Sequence, residues 1–170
     1  PSPNPTTTQG TITINFNDLS NLNRELSGDY PSNIVDWGSN AWYLSGPWGK
    51  FTTPSISFDG SGMRSATFSF LRPTQLVSVQ AFNGGLVGTN VTLSCDGNTT
   101  RQGKVGPGST NTIRVNWSKP CTSVTVTSTN GWDTNFDNIV VEPPPRQRPH
   151  PPLWMAAGSP SSITKVAERG

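Results

Sequence analysis

Histidine is almost missing from this chain: there is one in 170 residues, His150, set between prolines. That scarcity removes Ser-His-Asp and Cys-His nucleophile schemes and any histidine-based metal site. Cysteine is nearly as rare. Cys95 and Cys121 are too few and too far apart for a zinc motif; they lie in the strand-like contexts VTLSC and PCTSVTV and are read as an oxidised pair tying two strands. Only 13% of residues are charged, and no run of about 18 apolar residues occurs, so neither a membrane-spanning segment nor membrane insertion is expected. G-x-S-x-G and phosphate-cradling glycine motifs are absent too.

The charge balance is uneven along the chain. Residues 11–142 hold 8 Lys or Arg against 9 Asp or Glu, whereas the segment from 143 onward holds 4 against 1. The basic pI of about 8.9 therefore comes from the tail, and a nucleic-acid partner loses its electrostatic basis. Residues 1–9, PSPNPTTTQ, read as a Pro/Thr linker and residues 143–170 as a disordered Pro-rich or foreign tail that includes Trp154. Between them, residues 10–142 have the length of one domain. A secreted, extracellular protein is expected, with any signal peptide upstream of the linker; sequons at Asn90, Asn98 and Asn116 fit export.

What the chain does contain is alternation of period 2. TITINF sets Ile12, Ile14 and Phe16 on one face, SISF sets Ile56 and Phe58, and SATFSF sets Ala66, Phe68 and Phe70. LVSVQAF offers Val77, Val79 and Ala81, VTLSC offers Val91, Leu93 and Cys95, and TIRVNW offers Ile113, Val115 and Trp117, before SVTVTS and DNIVVE close the series. Turn sequences at 58–62, 83–85, 95–98, 106–109 and 130–132 separate them. About eight short antiparallel strands without an amphipathic helix predict an all-β domain, a β-sandwich with jelly roll as the preferred topology. The segment 17–53 is the exception, too long to be a plain connection, and short strands are expected in it near 34–37 and 48–51.

That segment also carries the aromatics. IVDWGSNAWYLSGPWGKF, residues 34–51, sets three tryptophans and a tyrosine among turn formers, with no period to commit them to a core. Trp37, following a strand-like IVD, and Trp117, on an inward parity, are assigned to the core. Trp42, Tyr43 and Trp48 are assigned to ligand stacking, with Trp132 either stacking on ligand or covering a metal site. A ring face packs on the apolar C–H face of a pyranose, and Asn83, Asp36 and Arg64 are candidate hydroxyl partners. A polysaccharide or oligosaccharide is the expected partner. Glu25, Asp29, Asp36, Asp59, Asp96 and Asp133 could supply a glycosidase pair, but no spacing selects two of them, and acidic residues in such loops usually form turns. No catalytic residue is assigned.

Continuing the first strand's inward parity reaches Asp18, and reading the last strand backward from Val141 and Ile139 reaches Asp137. If first and last strands pair antiparallel, both carboxylates arrive at one rim. Ca²⁺ is the cation best suited to them, with Asn17, Asp133 and loop carbonyls completing its shell.

The opening ITINFNDL, the closing NFDNIVV, the intervening Gly-Tyr-Pro and Trp-Gly segments and the Pro/Thr stretch together resemble jelly-roll carbohydrate-binding modules of secreted microbial glycoside hydrolases. The resemblance covers about residues 10–142. It implies a non-catalytic, monomeric module that targets an attached enzyme to polysaccharide, with structural calcium joining first and last strands and exposed aromatics binding glycan. In the opening motif Asn17 stands where such modules usually carry an acidic residue. An extracellular adhesion or structural sandwich with a protein partner is the alternative.

Overall fold

The computed structural model describes residues 10–60 and 62–144. The linker assigned to residues 1–9, all but two residues of the tail assigned to 143–170, and with them His150 and Trp154, lie outside the described residues.

Eleven strands form two facing sheets, and every pairing among the described residues is antiparallel. The first sheet holds β1 (Ile12–Ile14), β2 (Arg24–Leu26), β4 (Trp42–Ser45), β5 (Ser55–Phe58), β9 (Ser109–Arg114) and β11 (Thr134–Glu142). The second holds β3 (Val35–Asp36), β7 (Thr89–Ser94), β8 (Arg101–Val105) and β10 (Cys121–Ser128). The 19-residue β6 (Ser65–Asn83) belongs to both. Its first half pairs with β3 and β10, and its second half with β11 and β9. The exposed Leu71-Arg72-Pro73 segment lies between the two halves.

The expected sandwich is therefore present, with eleven strands among the described residues rather than eight: SATFSF and LVSVQAF are one strand, β6, and four strands are added. The additions come from 17–53, which supplies β2, β3 and β4, and from RQGKV, whose β8 lacks apolar alternation. The expected strands at 34–37 and 48–51 appear as β3 and as an isolated Trp48–Phe51 bridge.

Between the sheets lies an aromatic core. Trp37, fully buried, packs against Phe16, Trp42 and Phe68 with ring centroids 5.6, 5.4 and 5.1 Å away, and Trp42 continues the contact to Phe58 and Phe136. Trp117 is buried as expected. Cys95 and Cys121 are disulfide-bonded, joining the end of β7 to the start of β10.

Two irregularities reset the parity that the sequence suggests. At Asn138, with φ of 47°, the β6–β11 register slips, so that Phe136 and Ile139 both face the core while Asp137 points out of it. A second slip beside Val77 turns Leu76 inward in its place.

Candidate functional site

The outward side of the first sheet collects most of the exposed aromatic surface among the described residues. Register aligns Tyr43 with Ser57, and Asn135 with Phe82, along one transverse row; Ile56 opposite Phe136 joins the two pairs. Tyr43 and Phe82 thus stand three strand spacings apart, about 14 Å. Each end of the row carries a tryptophan. Trp132, from the 3-10 turn Gly131–Asp133, lies 4.8 Å from the Tyr43 ring at a tilt of 54°. Trp48 meets Phe82 edge-on at 5.2 Å.

Local sequence explains both placements. After β4, residues 46–54 fold back over the sheet, closed by reciprocal backbone hydrogen bonds between Trp48 and Phe51. Gly49, at φ 63°, rests on the Phe82 ring, and a Cβ there would come within 2.2 Å of it. Gly84 gives the Trp48 ring its seat: a Cβ would meet Cη2 at 2.0 Å. Under this cover, outward polar residues of the sheet become buried, and Asn135 Nδ2 donates to Ser55 Oγ at 2.8 Å.

The five described tryptophans divide into two classes. The indole N–H groups of Trp37, Trp42 and Trp117 donate to backbone carbonyls of Tyr30, Thr67 and Thr99. Trp48 and Trp132 are 40% and 41% exposed, and neither indole N–H has an acceptor among the described residues. Arg64 belongs beside Trp132, its Cγ 3.3 Å from where a Gly131 Cβ would stand.

Three assigned residues do not belong to this surface. Trp42 is 1% exposed, because its loop-like sequence forms β4 between β2 and β5 and turns the ring inward. Asn83 is fully buried; its Nδ2 donates to the carbonyls of Val87, Val105 and Gly106, and its Oδ1 accepts from Gly85 N–H and Asn130 Nδ2. Asp36 lies on β3 in the other sheet, where its Oδ1 accepts the Gly38 N–H at 2.8 Å. Glu25 is likewise engaged, accepting the Asn40 N–H.

Sequence reading missed the loop 84–88, GGLVG, beside Trp48. Leu86 is 97% and Val87 66% exposed. Two exposed aliphatic residues after a Gly-Gly turn were the available signal, overshadowed by the aromatics nearby.

The two carboxylates proposed for a cation meet at a seam. β1 pairs antiparallel with β11, as expected, with Ile14 opposite Ile139. The Tyr30 hydroxyl donates to Asp18; burial first, then this hydrogen bond, then the charges of Asp18 and Asp137 hold its phenol well above the usual tyrosine range. Asp137 is 1% exposed. Burial pushes its carboxyl up to about 6, against the hydrogen bonds from Asn138 N–H and the Thr53 hydroxyl. Among the described residues no basic side chain is paired with this carboxylate, whose partners are Asn138 N–H, Asn138 Nδ2 and the Thr53 hydroxyl. Asn17, exposed, adjoins Asp18. Asp133 does not fit: it precedes Asp137 by four strand residues, about 13 Å, and its carbonyl accepts Gly84 N–H at the far end of the strand. Among the described residues no group of three or more His, Cys, Asp or Glu gathers.

Neither a protein-family model nor a curated protein matches the sequence. Among solved structures the chain is similar to the Podospora anserina GH26-CBM35 β-(1,4)-mannanase, at 12% identity and a TM-score of 0.42, over 84% of this chain and 29% of the mannanase. It is also similar to two variants of CBM29-2, a family 29 carbohydrate-binding module, at 11% identity and a TM-score of 0.40, over 77% of this chain and 90% or 89% of theirs. The chain thus spans less than a third of the mannanase's length. These are likenesses of chain course at low identity, and the site described above stands on its own geometry.

Proposed function

We infer that this domain is a non-catalytic carbohydrate-binding module whose glycan-contacting surface is the aromatic rim of the first sheet. The observation that carries this reading is the division of the tryptophans. Three described indoles are buried and hydrogen-bonded internally, while Trp48 and Trp132 keep exposed ring faces and unspent N–H donors at the two margins of one sheet face. A ring face with a polar edge is the combination that a pyranose needs: C–H groups on the face, a hydroxyl at the N–H. Arg64 and the Tyr43 hydroxyl add polar reach beside Trp132.

Binding of this kind is weak per site and serves to concentrate whatever is attached. The role that follows is delivery of an attached secreted enzyme to polysaccharide, by a monomeric module outside the cell. The Cys95–Cys121 disulfide supports an oxidising compartment. A structural Ca²⁺ between Asp18 and Asp137, with Asn17 and nearby carbonyl oxygens as further donors, would neutralise the buried carboxylate and fasten β1 to β11.

The test is retention on a polysaccharide panel, comparing wild type with Trp48→Ala and Trp132→Ala. Loss in either variant, with the fold intact, supports the reading. Equal retention of all three proteins on a bound glycan would remove the rim from the site, and failure of wild type on every glycan would transfer the case to a protein-binding adhesion domain.

A further inference from the structure

The five exposed large apolar side chains among the described residues are unevenly spread. Leu71 sits at the bend of β6, whereas Trp48 and the loop of Leu86 and Val87 share the Phe82 end of the outward face and Trp132 stands at its Tyr43 end. Trp48 rests on Gly84, Gly84 N–H donates to the carbonyl of Asp133 next to Trp132, and Leu86 and Val87 follow in the same loop.

This loop is held from below. Asn83 and Asn130 act together: Asn130 Nδ2 donates to Asn83 Oδ1 and to the Val87 carbonyl, each at 2.9 Å, and Asn83 Nδ2 donates to the same carbonyl at 2.8 Å. Gly85 N–H closes onto Asn83 Oδ1 at 3.0 Å. A second tier of hydroxyls, Thr89, Ser128, Thr129 and Thr134, ties Asn130 to β7 and β11. So many directed bonds on a five-residue loop fix its shape, and what they hold out in water are the aliphatic side chains of Leu86 and Val87.

We propose that loop 84–88 extends the aromatic rim into a projecting apolar contact surface, and that this surface selects polysaccharide presented as packed, insoluble chains over single soluble chains. The inference rests on the carbohydrate-binding reading above. A lone chain in water shows hydroxyls on every side and is held by a concave site with convergent hydrogen-bonding side chains. The loop end of the rim projects instead, and the two amides there, Asn83 and Asn130, are consumed internally. Packed chains satisfy their hydroxyls on one another and expose broad C–H faces. A surface of that kind asks for apolar area and few donors, which is what Trp48, Leu86 and Val87 supply. Covering Leu86 accounts for a factor of about ten or more in affinity.

The test uses microcrystalline cellulose, crystalline chitin and insoluble mannan, each with its soluble oligosaccharides as competitors, and compares wild type with Leu86→Asp, Asn130→Ala and Trp132→Ala. Wild type is expected to partition onto at least one solid and to resist release by the matching oligosaccharide. Leu86→Asp, at an exposed tip that leaves the fold intact, is expected to reduce that partition about tenfold. Asn130→Ala should reduce it less, with faster amide exchange confined to 84–88. If oligosaccharide releases wild type fully, or if Leu86→Asp partitions as wild type does, the selection for packed chains is overturned while carbohydrate binding stands. If wild type binds neither solids nor oligosaccharides, both readings fall.

Discussion

At the scale of single residues, burial separates tryptophans that the sequence cannot. Trp42 and Trp48 lie six positions apart among the same turn-forming neighbours, yet one is a core residue and the other a candidate contact. Trp42→Ala is expected to cost about 3–5 kcal/mol in unfolding free energy, measured by denaturant titration, whereas Trp48→Ala should leave most stability intact and reduce glycan retention. Asp137 offers a second test. Its folded-state carboxyl titrates near 6 against an ordinary 3.8, so in chelator the folded protein binds the proton more tightly than the unfolded chain does. Its contribution to stability therefore falls as pH rises from about 4 to about 6 and stays low above that. In EDTA, Tm of Asp137→Asn relative to wild type should be higher at pH 7 than at pH 5. Added Ca²⁺ at pH 7 should raise Tm of wild type and not of the variant; an equal response in both would remove Asp137 from the proposed cation site.

At the scale of elements, the strands with strict alternation were legible: β5 coincides with SISF, and β7, β9 and β10 bury the parity that their sequences predict. Parity failed where the backbone inserted a residue. The slip at Asn138 puts Asp137 on the outward side of the sheet, and no alternation rule contains that information, because a bulge is a property of the pair of strands. β4 was illegible for another reason. Its ends are crowded with Gly, Ser and Pro, and its strand state depends on pairing with β2 and β5, far away in sequence or unrecognised as strands. The site followed the same division. Tyr43, Trp48, Trp132 and Arg64, singled out from residue type, lie together on the candidate rim, but Asn83 is a loop anchor, and the 84–88 loop became visible only through its exposure. The disulfide, by contrast, needed only two cysteines in strand contexts. Removing it with Cys95→Ala/Cys121→Ala frees a loop of sequence separation 26, a loss of about 3.5 kcal/mol by chain entropy, which calorimetry of the two proteins would register; no change would mean that the bond constrains nothing in the unfolded chain.

For the molecule as a whole, the two sheets divide the work. The core between them is apolar and aromatic, and the second sheet is tied to itself by the disulfide. The first sheet turns a polar row outward and bounds it with Tyr43 and Trp132 at one margin and with Phe82 and Trp48 at the other. The measurement that bears most directly on the central claim is polysaccharide retention of the Trp48→Ala/Trp132→Ala double variant beside wild type, with Tm recorded for both. Retention lost in the double variant at an unchanged Tm is the predicted result. A folded double variant that binds the same glycan as tightly as wild type would contradict the assignment of this rim as the carbohydrate-binding surface.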